Sequence, residues 1–390
     1  MPRSNLTVDR RRLMTLGAGL AVASCAEPAS DVGRTAPPGA PIPIDLSPTR
    51  LMRITVCARP FRAAGPRLEA GMIGDKRVIH NYGHGGAGWS LTWGCAEDVA
   101  RLASQEPPRS VAVIGAGAIG LASATRLIEE GFPVTIYAEE FPAESRSARA
   151  TGTWSPDSRI ALGDVAAADF GDKWERWARR SYAAHQHFVG LDNEPVEFTP
   201  RYFLRDDQSS QPPKATRDFL HLQGRLSGLL PRVEPIEPEA YGFATPVARK
   251  TMQMTFNVAQ YADDLMTAFF LRGGAMKRRR FHSAEEIAAL PEDLVINCTG
   301  YGARALLGDD SVVPVRGQIA WLAPQPGVHY GVYYRNGTVL ARRDGIVIQD
   351  RGPNEDFGYG IEEEIPDRAE FEAVLATLAS GYRKTPDPAI

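Results

Sequence analysis

Residues 110–140 read SVAVIGAGAIGLASATRLIEEGFPVTIYAEE. Residues 110–114 are short, apolar and rich in Val and Ile, the signature of a strand buried on both faces. Gly115, Gly117 and Gly120 follow at G-x-G-x-x-G spacing. The chain then continues as a helix with small residues on one side, which Gly131 can end. A second apolar run, 133–138, leads directly into Glu139 and Glu140. Each part has a physical task. Gly115 allows a tight turn. Gly117 lets the backbone approach a pyrophosphate on the helix N-terminus, and Gly120 lets helix and strand pack closely. An acid at the end of the second strand accepts hydrogen bonds from ribose hydroxyls. Together these features predict a Rossmann-type dinucleotide site. Ala116, Gly117, Ala118 and Ile119 fall at the phosphates, with Glu139 and Glu140 at the ribose. The fingerprint does not choose between FAD and NAD.

A second glycine-rich stretch, HNYGHGGAGWSLTWGC, occupies residues 80–95. With its flanks it closely resembles the flavin-binding glycine segment of the D-amino-acid oxidase family. Other stretches resemble the same family. ARATGTWSPDS (148–158) is similar to the loop passing under the flavin, and LVINCTGYGAR (294–304) to the strand and turn that return to the cofactor. VPVRGQIAWL (313–322) is similar to a substrate-domain strand, and RPFRAAGPRLE (59–69) to the segment bearing the substrate arginine. The resemblance implies FAD as cofactor. It places Gly85, Gly86, Ala87, Gly88, Trp89 and Ser90 at the flavin, with Thr151, Gly152 and Gly300 beside it.

The order is rotated relative to that family, where the arginine and glycine segments come last. Here they precede the dinucleotide fingerprint. The expected architecture is therefore α/β and circularly permuted: a Rossmann-type FAD-binding domain plus a mixed-sheet α+β substrate domain. The old ends would be joined by ARLASQEPPRS (100–110). Chain ends commonly lie close together at a surface, which makes such a join tolerable. The FAD-binding domain is expected over 66–160 and 285–311, and the substrate domain over 50–65, 161–284 and 312–390.

The resemblance implies oxidation of a D-amino acid to its 2-oxo acid and ammonia, with dioxygen or another acceptor reoxidising the flavin. The cofactor supplies the redox chemistry, so an acid–base dyad is not required. A carboxylate substrate needs a fixed cation, and the planar fork of arginine suits it. Arg59 matches that position; Arg62 reads as structural. Family members carry two tyrosines four residues apart near the substrate. In VYYRNGTVLARRDG (332–345), Tyr334 matches the first and Thr338 stands in place of the second, with Tyr333 as a substitute or a packed strand residue. Rival readings are a dehydrogenase or secondary-amine oxidase with another acceptor, and a non-catalytic flavin-binding lipoprotein.

The remaining features bound the class. The chain has 390 residues, a net charge of -3, 43% hydrophobic and 23% charged residues. No basic excess points to nucleic acid. His80, His84 and His282 have no metal-ligand spacing, and KRRR (277–280) reads as a solvated turn. The cysteines Cys25, Cys57, Cys95 and Cys298 form no disulfide framework. At the N-terminus, Arg10-Arg11-Arg12 precedes a short apolar run, 13–23, and VASC. This is the layout of an export signal (1–24), of twin-arginine type, with Cys25 as a lipidated residue. A Pro- and Ala-rich tether is expected over 25–49. The protein is expected on the periplasmic side, touching membrane only through a lipid at Cys25.

Overall fold

The computed structural model describes residues 40–209 and 213–383 and arranges their strands in two sheets. In chain order the strands are β1 (Leu51–Arg62), β2 (Arg67–Ile73), β3 (Lys76–Tyr82), β4 (Val111–Ile114), β5 (Val134–Ala138), β6 (Val196–Arg205) and β7 (Glu234–Ile236). They continue as β8 (Val247–Phe256), β9 (Ala275–Arg278), β10 (Leu294–Asn297), β11 (Val312–Leu322), β12 (Gly331–Tyr334), β13 (Gly337–Arg342) and β14 (Gly345–Asp350). The helices are α1 (Gly88–Gln105), α2 (Ala118–Glu129), α3 (Phe170–Gln186), α4 (Val258–Leu271), α5 (Ala284–Ala288), α6 (Ala303–Leu307) and α7 (Arg368–Ser380).

The first sheet runs β2-β3-β10-β4-β5-β9. Strands β3, β10, β4, β5 and β9 are parallel, and β2 is an antiparallel edge. Its central strands are buried throughout, as expected of parallel strands covered on both faces. Helix α2 follows β4 and packs on α1 and α4. Gly94 of α1 lies so close to α3 that a Cβ there would stand 2.3 Å from the Trp177 carbonyl. Ser181 Oγ accepts from the Gly94 amide at 2.8 Å. The second sheet runs β1-β11-β14-β13-β12-β6-β8-β7 and is mixed, because β12 and β6 pair in parallel. Helix α7 covers it, burying Phe371, Val374, Leu375 and Leu378 against β12, β13 and β14.

Two boundaries differ from the sequence expectation. Residues 161–284 do not all belong with the substrate sheet. β9 pairs with β5, α4 packs on α2, and α3 packs on α1. The crossover from β5 to β9 thus returns to the first sheet, which a reading based on the next recognisable motif does not reveal. The tether also ends earlier than residue 49. Ile44 is buried in the core under the second sheet, the Tyr330 hydroxyl donates to the Ile42 carbonyl at 2.9 Å, and the Asp45 amide donates to Gln325 Oε1 at 2.8 Å. Isolated apolar residues in a Pro-rich run were enough to dock it. The export signal and Cys25 lie outside the described residues.

Three buried histidines set an acid limit. His84 and His185 are pulled down to about 3 and His80 to about 4, in each case chiefly by burial. His185 is fixed in one tautomer. Its Nε2 donates to the Trp89 carbonyl at 3.1 Å and its Nδ1 accepts from the Tyr261 hydroxyl at 2.8 Å, which itself accepts from Trp93 Nε1 at 2.7 Å. These groups are neutral when folded and protonate near 6.5 when unfolded. Their stabilising contribution is therefore present above pH 6.5 and is lost as pH falls below it. By pH 5 each is expected to cost about 1–2 kcal/mol. Denaturant midpoints of the FAD-loaded protein should fall between pH 7 and pH 5, before most carboxylates titrate. A flat midpoint over that range would contradict neutral burial.

Candidate active site

Five parallel strands of one sheet end on the same side, and the residues just beyond their carboxyl ends line one cavity of about 1660 Å3. They are Gly83–Gly86 after β3, Gly115–Gly117 after β4, Glu139 and Glu140 after β5, Arg279–His282 after β9, and Cys298–Gly302 after β10. An open α/β sheet binds its ligand at this edge. The two glycine-rich stretches therefore face one space: β3 and β4 flank β10 in a single sheet.

Local backbone conformation explains the glycines. Gly115 has φ +106°, and a Cβ there would lie 2.4 Å from the Cys298 carbonyl. At Gly120 a Cβ would lie 2.0 Å from the Gly115 carbonyl. Gly117 is the N-cap of α2 and has no side chain to cap it, which leaves helix amides for an anion. Ser147 Oγ accepts from one of them, the Ala118 amide, at 3.0 Å. Across the cavity, Gly85 has φ +54° and donates its amide to the Pro60 carbonyl at 2.7 Å, while the Gly86 amide donates to the Ser158 carbonyl at 3.0 Å. These bonds join β1, the 80–95 segment and the 148–158 loop into one wall.

Of the residues expected at the cofactor, Ala116, Gly117, Ala118, Ile119, Glu139, Glu140, Thr151, Gly85, Gly86, Gly88, Trp89 and Gly300 line the cavity. Ala87, Ser90 and Gly152 stand behind it. Ser90 Oγ accepts from the Ser155 amide at 2.8 Å, and the Gly152 carbonyl accepts from the Phe256 amide at 2.6 Å. Both support the loop rather than face the ligand. Glu139 pairs with Arg280 at 3.2 Å, so Arg279 and Arg280 of KRRR are part of the wall and not merely a solvated turn.

Arg59 lies on β1 and opens into the cavity. Its guanidinium rests over Gly317, where a Cβ would stand 2.1 Å from Nη2. Among the described residues no carboxylate pairs with it. Glu364, bonded to the neighbouring Ala58 amide at 2.8 Å, pairs instead with Arg146 and Arg149. Arg62 is structural, donating to Ser311 Oγ at 2.8 Å and the Gly65 carbonyl at 3.0 Å.

The tyrosine match is displaced by one residue. Successive strand residues point to opposite faces, and β12 pairs Tyr333 with Thr338. Tyr333 and Thr338 face the cavity. Tyr334 is buried under α7 instead, its hydroxyl donating to Asp206 Oδ1 at 2.7 Å. Tyr333 stacks on Phe203, with ring centroids 4.8 Å apart. Tyr333→Phe is expected to raise KM about tenfold, the cost of one lost bond to a charged group, without loss of FAD. Tyr334→Phe is expected to cost about 1 kcal/mol of stability and leave kcat/KM within about twofold. Steady-state kinetics beside denaturant melts separate the two; the reverse pattern would restore Tyr334 to the site. Gln349, which stands where family members carry a Leu-Gly-Gly on the substrate side, lines the cavity; the sequence reading missed Arg159, Gln253 and Arg351, which line it too. Their signal is tertiary: none stands in a recognisable motif.

A family model described as FAD dependent oxidoreductase (DAO) matches residues 110–385. The chain belongs to this family. The oxidoreductase is similar to a D-amino-acid oxidase of Rubrobacter xylanophilus, 30% identical over 67% of this chain and 74% of that protein. A D-amino acid oxidase of Dugesia ryukyuensis is 25% identical over 61% of this chain and 68% of that protein. Glycine oxidase from Bacillus cereus superposes with a TM-score of 0.47 at 12% identity, covering 70% of this chain and 78% of that one. The oxidoreductase is thus a FAD enzyme. Its residues fit the cofactor: the N-terminus of α2 at Gly117 and Ala118 would hold the pyrophosphate, Glu139 the ribose, and the Gly85–Gly86 wall the flavin.

Proposed function

We propose that the oxidoreductase converts a D-amino acid to its 2-oxo acid and ammonia, with dioxygen reduced to hydrogen peroxide. The observation that carries this reading is Arg59, a cation with no carboxylate partner among the described residues, opening into the cavity that both glycine segments line. It holds the α-carboxylate through a bidentate fork. Tyr333 and Thr338, paired across β12 and β13, line the same cavity and orient the substrate. Bound FAD supplies the acceptor for the α-hydrogen as hydride. The 2-imino acid is then hydrolysed by water. Two similar relatives are D-amino-acid oxidases, which supports the D configuration.

The test is anaerobic bleaching of the flavin by matched D- and L-amino acids and glycine. Bleaching by D-amino acids, followed by peroxide release on admitting air, is expected. Bleaching by L-amino acids or glycine alone would overturn the reading, and bleaching without oxygen uptake would replace dioxygen by another acceptor.

We also propose that the chain is circularly permuted, because the glycine segment precedes the region matched by the family model yet shares its sheet. Export by the twin-arginine route, with a lipid at Cys25, completes the proposal and rests on the sequence 1–25. That route carries folded proteins and would deliver FAD with the chain. Changing Arg10, Arg11 and Arg12 to lysine should trap yellow protein inside the cell; unchanged export would refute the route.

A further inference from the structure

We infer that Arg201, which lies under the cavity rather than in it, is a positioning residue for Tyr333: it turns the Tyr333 hydroxyl into a fixed donor toward the substrate's α-carboxylate. This deepens the reading of Tyr333 as a residue that orients the substrate, and rests on it. Strands β6 and β12 pair so that Arg201 stands opposite Gly331 and Phe203 opposite Tyr333. Residues two apart on a strand share a face, so all four lie on the face of the second sheet that Tyr333 turns to the cavity. Phe203 stacks on Tyr333 with 6° between the ring planes, which fixes the tilt of the phenol. Gly331 makes room for the arginine: a Cβ there would stand 2.9 Å from Arg201 Cδ and 3.1 Å from its Nε. The Arg201 side chain therefore leans across β12 beside Tyr333.

Arg201 is fully buried. Its Nη1 donates to Thr199 Oγ1, and its Nη2 donates to Thr255 Oγ1 at 2.6 Å. Those two hydroxyls lie 2.7 Å apart, and Thr255 is bridged to Thr153 of the 148–158 loop. Nε, on the side of Gly331, has no bonded partner. Among the described residues no carboxylate forms an ion pair with Arg201. Glu197 acts on it from further off and accepts from Asn257 Nδ2 at 2.8 Å. Burial lowers the Arg201 pKa; Tyr333 opposes this most, by charge and as a hydrogen-bond partner, and Glu197 less. A buried cation without a carboxylate is costly, and an apolar chain of similar volume packs in such a place at less cost. Stability alone does not account for it. What it supplies is direction. A guanidinium only donates, so the Tyr333 oxygen accepts and its own proton is turned away from Arg201. On the other side is the cavity that Tyr333 and Arg59 both line. A hydroxyl that accepts from a cation is also the stronger donor to the next acceptor in the chain.

The test is a double-mutant cycle on the FAD-loaded protein. It reads the affinity for propionate from the perturbation of the flavin spectrum, so no turnover is needed. Arg201→Met is expected to keep full FAD content and to melt at or above the wild-type temperature. It should nevertheless bind propionate about three- to tenfold more weakly. With Tyr333→Phe already in place, Arg201→Met should change that affinity by less than about twofold, because the phenol through which it acts is gone. Arg201→Lys, which still donates, should recover part of the loss. In turnover the loss in kcat/KM should fall mainly on KM. Equal losses on both backgrounds would overturn the inference, since Arg201 would then act without Tyr333. A less stable Arg201→Met protein with unchanged propionate affinity would overturn it too, as the mark of a purely structural role. If Arg201→Met does not retain FAD, the cycle is run with Arg201→Lys, and additive losses there overturn it equally. If Tyr333→Phe leaves propionate binding unchanged while Arg201→Met weakens it, Arg201 acts by another route and the inference falls. If the cycle shows the coupling but no D-amino acid bleaches the flavin, the D-amino-acid reading fails and the role of Arg201 stands.

Discussion

Arg59→Ala is expected to lower kcat/KM by about two orders of magnitude or more, with FAD content unchanged. A charge-assisted bidentate contact, counted with the carboxylate left unpaired in a half-closed cavity, contributes about 2–4 kcal/mol. Each 1.4 kcal/mol is about tenfold. Arg159 and Arg351 do not replace it, because Arg159 is tied to the Glu355 carbonyl and Arg351 to the Arg335 carbonyl. Arg59→Lys should recover only part of the loss, since an ammonium has no planar fork. The residues that would hold the flavin are others lining the cavity, Gly117, Glu139, Gly85 and Gly86, so the visible spectrum should be unaltered. Full turnover by Arg59→Ala on its best substrate would remove the carboxylate from this position and favour a substrate without one.

Gly120→Val should yield a protein that does not retain FAD. Even the first added carbon would lie 2.0 Å from the Gly115 carbonyl, and backbone cannot swing aside as a flexible side chain does. Helix α2 must move off β4, which shifts the N-terminal amides that would hold the pyrophosphate. Overpacking of this kind costs about 1–3 kcal/mol and raises the FAD dissociation constant by tenfold or more. Gly224→Ala is the matched control, because nothing lies within 4 Å of its added carbon and its backbone is not left-handed. Equilibrium dialysis against FAD reads both. A yellow Gly120→Val protein with wild-type affinity would mean that close helix–strand packing is not what positions the cofactor.

The contrast between these arginines and glycines shows what a sequence carries. The fingerprint at 115–120 was legible because each glycine answers a local steric demand, seen in the approach of Gly120 to Gly115 and of Gly115 to Cys298. The pairing of the two glycine stretches was legible through order and resemblance, and the sheet puts both at one edge. Tyr334 was misplaced because a strand alternates faces with period two. An error of one residue moves a side chain from cavity to core, and only the pairing of Tyr333 with Thr338 settles which face is which. Ser90 was misplaced for a related reason: a hydroxyl beside a glycine loop bonds backbone as readily as ligand, and here it holds the Ser155 amide. Arg159 and Arg351 were not legible at all. They lie far apart in sequence and meet only through the fold, and the left-handed backbone that carries Arg159, φ +47°, leaves no mark on composition or spacing.

A crystal structure of the yellow protein tests most directly whether both glycine segments serve one flavin. One FAD molecule is expected, with its pyrophosphate at the amides of Gly117 and Ala118, its ribose at Glu139 and its isoalloxazine against Gly85 and Gly86. A FAD bound at Gly117 whose ring system turns away from Gly85–Gly88, leaving that segment without ligand contact, would contradict it.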